Sequence, residues 1–167
     1  MLQEIRGLIL RDLDALVREL EAYPDTATLW ATPPGLPNSG GNLALHLAGN
    51  LEHFVGAVLG GSGYLRDREA EFTTRGLPRE EVVRRVRQAR AAVATVLPRL
   101  REDDLARDFP VAVAGVRVGL GDFLAHLAVH LGYHLGQVDY HRRAVTGDPA
   151  SVGAMAPREL VTARGDG

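Results

Sequence analysis

The chain has no cysteine, and its 19 basic residues are all arginine. Without cysteine it can form no disulfide, no thiolate metal site and no cysteine nucleophile, so any thiol chemistry must use a thiol brought in as a co-substrate. A net charge of −2 gives no general electrostatic reason to bind nucleic acid or anionic lipid. No apolar run approaches the length of a membrane span. The opening segment, MLQEIRGLILRDLDALVREL, is punctuated by acids and arginines and holds no signal-peptide core. A cytoplasmic protein with neither a nucleic-acid nor a membrane partner is expected.

What is present is ordinary globular material: 167 residues, 46% hydrophobic and 24% charged, enough for one domain with a buried core. Leu2, Ile5, Ile9, Leu13, Leu16 and Leu20 step by three and four, which predicts a first helix ending before Pro24. A loop rich in proline and glycine follows, carrying the single tryptophan, Trp30. The second helix is expected from about Asn42 to Leu59, stopped by Gly60 and Gly61. After a polar connector, SGYLRDREAEFTTRG, Pro78 at the first helical position opens a third helix striped by Val82, Val86, Ala89 and Val93. The segment from Val111 to Val118 alternates and could be extended. The fourth helix runs from near Asp122 to about Val145. Four amphipathic helices without a convincing sheet predict an all-α four-helix bundle domain over residues 1–146. The remainder, 147–167, reads as a partly disordered tail; its RGD tripeptide, Arg164 to Asp166, is attributed to chance.

The histidines carry the chemistry. Four of the six lie in HLAVHLGYHLGQVDYH, and at about 100° per residue His126, His130, His134 and His141 fall within an arc of about 80°. That arc lies beside the aliphatic stripe of Leu124, Leu127, Leu131, Leu135 and Val138, so it flanks the core. The second helix repeats the pattern, with Asn42, His46, Asn50 and His53 beside Leu43, Leu47, Leu51 and Phe54. Two histidines at i and i+4 can share one ion, and a third from a facing helix leaves positions open for water or substrate. His130, His134 and His46 are the best-placed set. Spacing alone leaves the register open, because His126 and His130 are separated identically. It also leaves open histidines that simply satisfy one another and nearby carbonyls. No carboxylate stands in line, which excludes a HExxH protease or a di-iron bundle.

NSGGNLALHLAGNLEHFVGAVLGG, YLRDREAEF and HLAVHLGYHLGQVDYHRR together resemble the DinB superfamily of metal-dependent proteins, with its DinB/YfiT-like fold, and the HxxxHxGQ ending is the most specific part. The resemblance implies an up-down-down-up bundle, often a homodimer. It implies one divalent metal ion, zinc or nickel, held by His46 and the pair His130 and His134. It also implies a thiol S-transferase using bacillithiol, mycothiol or glutathione. The alternatives are a non-catalytic, stress-related metal- or ligand-binding bundle and a metal-dependent hydrolase. Asn42, Asn50, His53, His126, Tyr133 and Gln137 are candidates to support the ligands or line a pocket. Arg66 and Arg68 are weaker candidates for gripping an anionic group on a small-molecule substrate.

Overall fold

The computed structural model describes residues 1–165, and every regular element in them is helical. The helices are α1 (Leu2–Glu21), α2 (Thr26–Leu29), α3 (Gly40–Leu51), α4 (Arg68–Thr73), α5 (Arg79–Val96) and α6 (Leu120–Thr146). Helix α3 continues into a π-helical segment, Glu52–Leu59. Short 3-10 turns follow α5 and occur in the tail.

Four of these elements form the bundle: α1, α3 with its π segment, α5 and α6. Helices α1 and α3 sit on a diagonal, and each packs against both α5 and α6. Side-chain pairs give the directions. Helix α5 runs against α1, since Arg90 meets Asp14 while Arg87 meets Glu21. Helix α6 runs against α3: Gly40 lies beside His141, and the Phe54 ring meets Phe123 at the other end. Helix α6 runs with α1, Gly132 lying beside Asp12 and Arg142 beside Glu19. Helix α5 runs with α3, as Gly56 adjoins Ala92 and Gly60 adjoins Val96. The order is therefore up, down, down, up. The predicted stripes are the core: Ile9, Leu13, Leu16, Leu20, Leu47, Leu51, Leu124 and Leu127 are all fully buried, which is the term that holds such bundles together.

Several local expectations are corrected. Helix α3 begins before Asn42, and its N-cap is Ser39, whose Oγ accepts the Asn42 amide. Its last part is π-helical, which helical periodicity cannot foresee. The polar connector contains α4, capped by Asp67 accepting from the Ala70 amide. The segment after α5 turns back through two isolated bridges, Asp108 with Gly119 and Val113 with Val116, without becoming a strand pair. Apart from these corrections, residues 148–165 lie along α1: Arg142 donates to the Ala150 carbonyl, Arg18 to that of Val152, and Val161 sits beside Gly7. Asp166 of the RGD tripeptide lies outside the described residues.

Between α1 and α6 the bundle buries an ion pair. Arg142 Nε donates to Glu19 Oε2 at 2.6 Å, with side chains 1% and 0% exposed, while Glu19 Oε1 has no partner. Burial pushes the Glu19 carboxyl up, and Arg142 opposes that rise. Removing one member of such a pair strands the other charge, at a cost of about 3–5 kcal/mol. Arg142→Ala should therefore lower stability in urea unfolding by about that much, and Glu19→Leu combined with Arg142→Met should recover most of the loss. Equal losses in the single and double variants would contradict this account.

Candidate metal centre

The antiparallel crossing of α3 and α6 sets His46 opposite the turn that carries His130 and His134. One ring nitrogen from each lies within 4.8 Å of the others. His46 Nε2 and His130 Nε2 are 3.2 Å apart. Two nitrogens each 2.0–2.1 Å from one tetrahedral ion would be about 3.3 Å apart, so this edge already has the spacing of a coordination shell. The His134 ring stands 4.6 Å from that of His130 and 5.2 Å from that of His46, centroid to centroid. The donor set is three imidazoles with no carboxylate among them, which suits a divalent ion with positions left for water or another ligand.

Hydrogen bonds on the far side of two rings fix which nitrogen faces inward. His134 Nδ1 lies 2.6 Å from Gln137 Oε1, an acceptor, so it carries the proton and leaves Nε2 free. His46 Nδ1 lies 2.9 Å from Glu71 Oε2. Arg66 Nη2 also approaches that nitrogen, at 3.3 Å, but a guanidinium can only donate and the carboxylate can only accept. The shorter carboxylate contact assigns the proton to Nδ1 and turns the Nε2 lone pair toward His130. Arg66 in turn clamps Glu71 through two bonds, Nε to Oε1 at 2.7 Å and Nη2 to Oε2 at 2.9 Å. Asn42 completes the mount by donating to the Glu71 and Thr74 carbonyls. Gly49 is needed here, because a Cβ at that position would strike the Glu71 carboxylate.

The electrostatics keep these groups in the states that metal binding requires. Burial would raise the Glu71 carboxyl, but the bonds from Arg66 and then His46 outweigh it and hold the group below the ordinary carboxylate range. Burial, followed by the neighbouring imidazoles of His134, His46 and His126, pushes His130 down to about 4. Burial also lowers His134, against the opposing bond to Gln137. Both are therefore neutral at pH 7, with lone pairs available.

The other sequence candidates are distributed unevenly. Asn42 holds α4 and touches no ligand ring. Asn50 and His53 lie along α3 beyond His46, each with a buried atom that has no partner. His126 is exposed and stacks between Phe123 and His130 at 5.9 and 6.0 Å, outside the three-nitrogen group. Tyr133 packs its ring 5.1 Å from His134 and is 65% exposed. Arg66 commits two of its three nitrogens to Glu71, and Arg68 is exposed over the Phe72 ring. His141, fourth in the histidine run, is a core residue: Nδ1 meets Tyr23 Oη at 2.7 Å and Nε2 meets the Ala31 carbonyl at 2.8 Å.

Glu71 was missed by sequence reasoning. Its one signal is its place in YLRDREAEF, beside Arg66 and Arg68. A cavity of about 410 Å³ lies between α3, the connector and α5, with Glu71, Glu52 and Tyr64 in its wall; the three histidines are not part of its lining. The inward nitrogens, not that cavity, define the centre.

The family model of the DinB superfamily matches residues 9–138. No curated protein and no solved structure matches the chain.

Two outcomes test this geometry. Glu71→Gln removes the charge that orients His46 and should weaken zinc affinity by about 10–100-fold in chelator competition, while the helical circular dichroism is kept. Unchanged affinity would contradict the role given to Glu71. In the metal-free protein, His130, His134, His53 and His141 all have folded values below the ordinary 6.5. The unfolded chain then binds more protons, so their contribution to stability is complete above pH 6.5 and is lost as the pH falls toward His130's value of about 4. The urea midpoint should fall between pH 7.5 and 5, and fall less in His130→Gln.

Proposed function

The chain belongs to the DinB superfamily, and we propose that it is a cytoplasmic metal-dependent enzyme, a thiol S-transferase whose single divalent ion is held by His46, His130 and His134. The observation that carries this proposal is the set of three converging imidazoles with no fourth His, Asp or Glu grouped with them among the described residues. A structural site would be expected to close its shell with protein groups, whereas a shell of three leaves room for a co-substrate. Zinc and nickel both suit imidazole donors.

When bound, the ion lowers the pKa of a coordinated thiol and keeps it as thiolate at neutral pH. The chain supplies the rest. Glu71 and Gln137 hold the His46 and His134 protons on Nδ1. Leu127, Leu131 and Leu135, all buried, close the core side of the histidine line. Because the chain has no cysteine, the reacting sulfur must come from a small thiol of the bacillithiol, mycothiol or glutathione class.

Homodimerisation is part of the same proposal. Val129, Tyr133 and Tyr140 are 72%, 65% and 77% exposed on the outer face of α6, and nothing among the described residues would meet a Cβ at Gly136 between them. An apolar stripe with a glycine gap suits close approach of a second helix.

Metal analysis after incubation of tag-free protein with zinc or nickel should find about one equivalent; less than about a tenth would contradict the metal site. Thiol consumption with a generic electrophile should exceed background and disappear in His130→Ala. Metal without thiol consumption would replace the transferase by a non-catalytic binding bundle. Ester hydrolysis in the absence of thiol would replace it by a hydrolase. A monomer in sedimentation at micromolar concentration would remove the dimer.

A further inference from the structure

Three buried side-chain atoms lack a hydrogen-bond partner among the described residues: Glu19 Oε1, Asn50 Oδ1 and His53 Nδ1. The first belongs to the buried ion pair between α1 and α6. The other two lie three residues apart, on either side of the junction between α3 and its π-helical continuation. Asn50, 8% exposed, stands one turn beyond His46 on α3, and His53 follows at the start of the π-helical segment. With His46 facing His130 and Phe54 facing Phe123, Asn50 is level with the turn from His126 to His130. Phe54 and the Arg66 guanidinium above its ring, 5.9 Å away, bound this region on the connector side.

A buried polar atom without a partner is disfavoured, and folded chains retain one where something else completes it. Asn42, on the same face and also buried, has both ends of its carboxamide bonded. Asn50, also buried though less completely, has no partner for its Oδ1 among the described residues. The helix also leaves α geometry immediately after it, a change that often accompanies functional sites.

We propose that Asn50, with His53 beside it, is a subsite that pairs with an amide of the co-substrate and so selects thiols carrying an amide next to the sulfur-bearing carbon chain. The carboxamide oxygen can accept the N–H of such an amide, the kind of donor that Asn50 Oδ1 lacks. In a cysteinyl group the amide nitrogen is three bonds from the sulfur. A sulfur about 2.3 Å from the ion would put that nitrogen at most about 6 Å from the ion, comparable with the ~6 Å rise of the four residues from His46 to Asn50. A site built to bond such a group discriminates against an analogue lacking it, because its own buried atoms are then left unpaired. The subsite presupposes the metal-bound thiol proposed above.

The test uses cobalt-loaded protein and two thiols that differ only by an acetamido group, N-acetylcysteine and 3-mercaptopropionate, titrated by their sulfur-to-cobalt charge-transfer absorption. Wild type should favour N-acetylcysteine by about tenfold. Asn50→Leu, similar in volume and apolar, should abolish the preference while leaving cobalt affinity and 3-mercaptopropionate binding unchanged; His53→Gln should reduce it. Equal binding of the two thiols by wild type, a comparison that needs no variant, would overturn the subsite and leave the metal-bound thiol intact. So would equal weakening of both thiols in Asn50→Leu. Absence of charge transfer with either thiol would overturn the thiol-dependent function and the subsite with it.

Discussion

The candidate centre depends on one hydrogen bond, from His46 Nδ1 to Glu71. An imidazole has two nitrogens, and only the one without a proton can hold an ion. By keeping the proton on Nδ1, the carboxylate turns the His46 lone pair toward α6. The rest of the local structure serves that bond. Arg66 supplies the charge that keeps Glu71 ionised despite burial, Asn42 secures the backbone of α4, and Gly49 leaves the space the carboxylate occupies. A short helix in a polar connector thereby acts as a bracket for His46 on a long one.

The bundle itself is built from stripes whose spacing is visible along the chain, so the four long helices and their apolar faces were legible. The pair at His130 and His134 was legible for the same reason, since i and i+4 share a face whatever the fold. His46 required a resemblance as well as a pattern, because spacing does not say which helices face each other. Glu71 lay beyond both. It is 25 positions from His46, and a carboxylate becomes a ligand's partner only through the path of the connector. The same limit explains Arg66, which reads as an anion-binding residue in sequence and is mostly an internal clamp in three dimensions. The π-helical segment was invisible because α and π turns draw on the same residues.

His141 shows how far equivalence along a helix departs from equivalence in space. It lies seven residues after His134 in the same arc, yet both its ring nitrogens are satisfied by Tyr23 and the Ala31 carbonyl. That end of α6 also carries the buried Arg142 to Glu19 pair, so its polar groups hold helices together and fasten the tail. Toward the middle of α6 the balance reverses: His130 and His134 are neutral, half-buried and face His46 across the bundle. One helix thus divides into a structural end and a chemical centre, and the division follows from which partners the facing elements provide.

The most direct measurement of the central claim is the X-ray absorption spectrum of the zinc-loaded protein without added thiol. A first shell containing three imidazole nitrogens at about 2.0–2.1 Å, completed by light oxygen donors, is the predicted result. A shell dominated by carboxylate oxygen, or containing fewer than two imidazoles, would contradict the assignment of His46, His130 and His134.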